Sequence, residues 1–159
     1  MTNTAHVHLP FIFTYRDPIY GRGFLADVTV RGRLLAEQEA EGWWLYGVNP
    51  GGLAAGGTDP TMAHAEFRKS FTSVLFDLAI ATNSFESFKQ EVEQFFNETN
   101  EETLAAWTAA VERVRAGAIN LELPRMPAES PIFVTVTMKE AVQLSPDDNR
   151  IEPEPALAA

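Results

Sequence analysis

The sequence predicts an α+β fold: a small antiparallel sheet of three to four strands packed against a long helix, with two additional helices towards the C-terminus. Three observations carry this expectation. The stretch "FLADVTVRGRLLAEQ" alternates with a period of two, and the aromatic run "WWLYGV" follows it closely. From Pro60 onward, apolar residues recur at spacings of three and four in three successive stripes. Beyond Gly117 the composition turns to proline and acid.

Residues 1–24 read as an N-terminal extended segment. "VHLPFIFTY" suits extended backbone, and "RDPIYGRG" is turn-rich, with Pro18, Gly21 and Gly23. Val28 and Val30 then alternate with Asp27, Thr29 and Arg31 in a long strand, and Gly32 marks a bulge. "EAEG" connects it to the strand "WWLYGV", and a third short strand fits Leu53 to Ala55. Asp59 is an N-cap with Pro60 at the first helical position, where a missing N–H costs nothing. That helix carries Phe67, Phe71, Val74, Leu75 and Leu78 and ends near Ala81. Ser84 caps a second helix bearing Phe85, Phe88, Val92, Phe95 and Phe96. Thr99-x-x-Glu102 reads as a capping box for a third, with Leu104, Trp107, Val111 and Val114, and Gly117 as its C′ residue. Residues 25–117 thus form the α+β domain with its added helices. Residues 118–159 comprise a proline-containing linker, a strand from Ile132 to Met138 and an acidic, Pro-rich tail expected to be disordered.

Twelve Lys and Arg against 22 Asp and Glu give a net charge of −10 over 159 residues. Such a balance opposes tight binding to a phosphate backbone and suits a basic partner. The absence of cysteine excludes disulfides, thiolate metal sites and Cys nucleophiles. No run reaches the roughly 18 apolar residues of a membrane span, so a cytoplasmic protein without membrane contact is expected.

The glycines between the second and third strands and the first helix raise the question of phosphate binding. Gly51, four residues, then Gly56, Gly57 and Thr58 approach the phosphate-loop pattern, but Gly57 stands where the lysine belongs. Asp59 at the helix mouth would repel an anion. Leu53 breaks the dinucleotide pattern G-x-G-x-x-G. Pro50, Gly51, Gly52, Gly56 and Gly57 therefore read as a structural loop. His6, His8 and His64 lack metal-ligand spacing. The serines lack a G-x-S-x-G setting. Glu91, Glu93, Glu98, Glu101 and Glu102 fit solvent-facing helix positions. No catalytic residue, metal site or cofactor is expected. Trp43 and Trp44 must point to opposite faces of their strand, so Trp43, Trp44 and Tyr46 are candidates for a partner interface.

One pattern resembles a known family. Trp43-Trp44, Val48, Pro50-Gly51, Leu53-Ala54-Ala55, Gly56-Gly57-Thr58 and Thr61-Met62-Ala63-His64-Ala65 follow the order of HicB-type antitoxin domains. The likeness runs from Leu25 to Ala81, roughly a third of the chain. It implies a non-catalytic domain that oligomerises and covers a small basic RNA-cleaving toxin. His64 stands about where the family carries an acidic residue. The strand at "PIFVTVTMKEAVQLSPDD" begins like a ribbon–helix–helix unit, but Pro146 would break its helix, so direct DNA binding is not expected. Two other readings stand beside this one: a small-molecule-binding protein or enzyme with a pocket between sheet and aromatic helices, and a structural homo-oligomer.

Overall fold

The computed structural model describes residues 7–119, 123–139 and 155–159. Its strands are β1 (His8–Tyr20), β2 (Leu25–Glu39), β3 (Gly42–Asn49), β4 (Ala54–Gly57), β5 (Arg125–Met126), β6 (Phe133–Lys139) and β7 (Ala156–Ala158). Its helices are α1 (Pro60–Ala81), α2 (Phe85–Asn97) and α3 (Glu101–Arg115), all lying between β4 and β5 in the chain. The α+β class is as expected, but the sheet is larger and mixed. Seven strands join in the order β4-β3-β2-β1-β7-β5, with β6 also pairing β2. Every pair is antiparallel except β5 with β7. None of the described helices is long and apolar enough to cross a membrane.

The extra strands come from segments outside the expected sheet: β1 from the N-terminal extended segment and its turn-rich continuation, β5 and β7 from the linker and tail. β1 runs through Pro10 and Pro18 and pairs with β2 from His8↔Glu37 to Tyr20↔Leu25. Ile12 pairs with Ala156 of β7 on the opposite edge, and both prolines share Ile12's parity. Their missing N–H groups therefore face away from β2 and cost that ladder nothing. Pro18 is strand, not turn; the chain reverses instead around Gly23, at φ 81°. β7 lies in the stretch expected to be disordered, yet Ala156, Leu157 and Ala158 are buried. The tail up to residue 154, Pro146 included, and His6 lie outside the described residues. β6 is offset by one residue from the expected strand and returns to the main sheet beside Leu25 to Arg31.

β2 therefore has two neighbours along one edge: β6 beside residues 25–31 and β3 beside residues 33–39. Gly32 stands at the joint. A Cβ there would lie 2.1 Å from the carbonyl oxygen of Asn49. The register shift falls beside Gly32, but the additional residue is Val48 on β3, since Arg33 faces Asn49 and Leu34 faces Gly47. β4 is likewise displaced from the expected Leu53–Ala55, so Gly56 and Gly57 are strand residues.

Alternation sends one set of side chains to each face. On the inner face, Phe11, Phe13, Tyr15, Val28, Val30, Leu34 and Leu45 meet Phe67, Phe71 and Leu75 of α1 and Phe88, Val92 and Phe96 of α2. Phe13 takes Phe67 and Phe71 edge-on at 5.2 and 5.5 Å. Each such ring contributes about 1.5–3 kcal/mol by burial. On the outer face, Ile12, Leu35 and Val48 pack under Trp107, Ala110 and Val111 of α3. Trp107 Nε1 donates to the Phe11 carbonyl at 3.2 Å. The caps of α1 and α2 are Asp59 and Ser84, whose side chains accept from the amides of Met62 and Ser87. For α3 the cap is Asn100, which accepts from Thr103, and not the Thr99 capping box. Thr99 is engaged elsewhere, its hydroxyl accepting from Asn49 Nδ2 at 2.8 Å.

His64 belongs to the inner core, 4% exposed, with its ring 6.0 Å from Phe13. Burial first, then the charge of Arg68, lowers its pKa to about 4. In the unfolded chain it titrates near 6.5. The unfolded state thus binds more protons between these values, and stability present above pH 6.5 is lost as pH falls towards 4. We predict that His64→Gln flattens this window, removing up to about 3 kcal/mol of the wild-type decline, as read from urea unfolding at several pH values.

Candidate interaction face on β3

The register settles which way the aromatic run of β3 points. Trp43 and Leu45 face inwards; Trp43 is half-buried and packs against the inner core. Trp44 and Tyr46 face outwards beside Leu35, just beyond the cover of α3. Of the three predicted interface residues, then, two share an outward face and the third does not. Trp44 is 41% exposed. Its ring stacks on that of Tyr46, centroids 6.4 Å apart and planes at 24°. It also lies over Gly56 of β4, where an added Cβ would meet the indole at 3.0 Å. The glycine thus supplies a flat bed on which the indole lies closer to the strand than it could over a side chain without shifting.

Carboxylates surround this stack. Glu37 is opposite Trp44 in the β2–β3 register, and Glu39 lies two residues further on the same face. The Tyr46 hydroxyl donates to Glu39 Oε1 at 2.9 Å. Burial, then that hydrogen bond, then the charges of Glu39 and Glu37 push the phenol up to about 12. Tyr46 therefore remains a neutral donor throughout the physiological range and fixes the Glu39 carboxylate. Glu41 and Gly57 complete a shallow cleft at the end of β3, with Trp44 as its wall. His8 Nε2 sits 3.7 Å from Glu37 Oε1 at the opposite margin. Stacked aromatic faces beside carboxylates suit a cation: the rings attract it through their quadrupoles and the acids through charge.

The glutamates were not legible as site residues. Alternation places Glu37 and Glu39 on one strand face, but only the tight Ala40-Glu41 connection brings them alongside Trp44.

The predicted structural loop divides into two places. The Gly51 amide donates to the Glu98 carbonyl at 2.8 Å, which seats the turn containing Pro50 and Gly52 on the α2–α3 connection. Gly57 instead underlies the start of α1, where a Cβ would lie 2.5 Å from the Ala63 nitrogen. β4 separates them, and Asp59 occupies the helix mouth, accepting from Met62 at 2.9 Å. The Gly51 amide is already committed to Glu98, and Gly56 and Gly57 belong to the β4 ladder, so these glycines do not form one loop. Among the described residues no three His, Asp or Glu side chains converge in a metal-binding group. Compared with known proteins, the chain matches no family model, no curated protein and no solved structure.

Exposure separates the two tryptophans on the outer face. Trp107→Ala, at a buried site, should cost about 3–5 kcal/mol, whereas Trp44→Ala should cost about 1 kcal/mol or less, the worth of one surface aromatic pair. Parallel urea denaturations of the two variants check this contrast.

Proposed function

We propose that the chain is a non-catalytic protein-interaction module whose outer β3 face receives a basic segment of a partner protein. The observation that carries this reading is the exposed Trp44–Tyr46 stack set among Glu37, Glu39 and Glu41. Trp and Tyr are the residues most enriched at binding hot spots. The net charge of −10 draws a cationic partner towards the face from a distance. The HicB-like reading is the specific version: the partner is then a small basic RNA-cleaving toxin, and the module acts by covering it. The strand–strand–strand–helix order of β2, β3, β4 and α1 is compatible with that resemblance. A second copy of this chain is a poorer occupant, because a two-fold contact would set the acidic rims against each other. The expected homo-oligomer would then form through another surface.

Titration with an Arg- and Lys-rich peptide, followed by tryptophan fluorescence, tests the reading. It predicts saturable binding that weakens as salt rises. Trp44→Ala should weaken it by about 30-fold, ~2 kcal/mol, and Glu39→Gln should weaken it less. Equal binding by wild type and Trp44→Ala would remove this face from the function. For the antitoxin version, co-expression with a small basic toxin should relieve toxicity, and Trp44→Ala should restore it.

A further inference from the structure

Beyond the other margin of α3, the described part of the outer face carries the opposite charge. A groove of about 800 Å³ follows the edge of β1 from α1 on one side of the sheet to β2 and β6 on the other. Arg16, Arg31, Arg68 and Lys69 line it, four of the chain's twelve basic residues. Asp17 and Glu66 are its acidic lining residues. In a protein of net charge −10, such a concentration of cations marks a local positive field.

We propose that this groove binds a small polyanion bearing phosphate or carboxylate groups. The cations are held for it in different ways. The Arg31 guanidinium lies over the Phe133 ring at 5.6 Å, which fixes its plane. Its Nε is buried and has no hydrogen-bond acceptor among the described residues. A buried donor left unmade is costly, and an incoming oxyanion supplies the missing acceptor. Arg16 is exposed and holds Asp27 at 3.3 Å in a surface pair, an arrangement weak enough to exchange for a ligand. Lys69 is exposed on α1. Thr14, Thr29 and Ser73 add hydroxyl donors to the lining.

Addition of a peptide strand to the β1 edge is the competing use of this place. Arg68 argues against it. Its Nη1 donates to the Thr14 carbonyl at 2.6 Å, on the edge that faces away from β2, and its guanidinium covers Tyr15 at 5.1 Å. That carbonyl is where a new strand would have to begin its ladder, and the Arg68 side chain lies across it, so side-chain recognition of an anion fits the place better than strand addition.

The test uses the full ¹⁵N-labelled chain, titrated separately with inorganic pyrophosphate and with citrate at constant ionic strength. Saturable amide shifts should appear at residues 14–16, 29–31 and 68–73. Lys69→Ala and Arg31→Gln should each raise the dissociation constant at least fivefold; Arg22→Gln, in the β1–β2 turn, should not. Saturation by pyrophosphate alone assigns the phosphate class, and saturation by citrate alone the carboxylate class. If neither anion saturates, or if Lys69→Ala, which is exposed and carries no folding role, binds like wild type, the proposal fails. The basic peptide used for the β3 face should leave these amides unmoved, so the two sites stand or fall separately.

Discussion

The contact between Gly32 and the carbonyl of Asn49 is the constraint around which the rest of the molecule is arranged. Only a residue without a side chain lets β3 end so close to β2. Because β3 ends there, the other half of the same β2 edge is open to β6. Asn49 itself is 4% exposed and its amide is well used. Its Oδ1 accepts from Arg33 at 2.7 Å, while its Nδ2 donates to the Phe96 carbonyl at 3.3 Å and to Thr99. The Asn100 amide donates to Val48 at 3.1 Å. Each bond contributes about 1 kcal/mol, and losing a partner inside leaves a desolvated group at greater cost. This small network ties the α2–α3 connection to the sheet, so that α2 lies on one face and α3 on the other.

The placement of α3 decides what the outer face can do. It covers Ile12, Leu35 and Val48 in the middle, and among the described residues no helix extends that cover to either end. Towards β3 and β4, the surface is aromatic and acidic. Towards β1 and β6, it carries Arg16, Arg31 and Phe133. Arg33, between them, is committed to structure: it bonds Asn49 and lies over Trp107 at 5.5 Å. Its burial lowers its pKa against the raising charge of Glu101. One continuous sheet face thus presents opposite charge at its two ends, separated by a helix. Complementary fields of this kind set orientation and partner choice more than raw affinity.

Much of this was legible in the sequence, and the gaps have physical causes. The three helices follow from their stripes and from Asp59, Pro60, Ser84 and Gly117, all local signals. β2 and β3 follow from alternation and aromatic content. The first half of β1 was legible as extended backbone, but Pro18 with Gly21 and Gly23 read as a turn, because a proline is admitted to a strand only where its outward edge is known. β5 and β7 are two and three residues long, too short for any period to register. Trp44 and Tyr46 could be named as candidates, but their acidic neighbours depend on cross-strand register. The basic groove combines β1, β2, β6 and α1, and no local pattern joins those segments.

Amide hydrogen exchange on Gly32→Ala tests the joint most directly, since the new methyl would sit 2.1 Å from the Asn49 oxygen. The joint predicts that opening free energies fall together, by about 1–3 kcal/mol, at Val134 to Val136 of β6 and at Gly51 and Asn100 beside the α2–α3 connection. A variant whose protection drops only at residues next to position 32, with β6 and that connection unchanged, would contradict it.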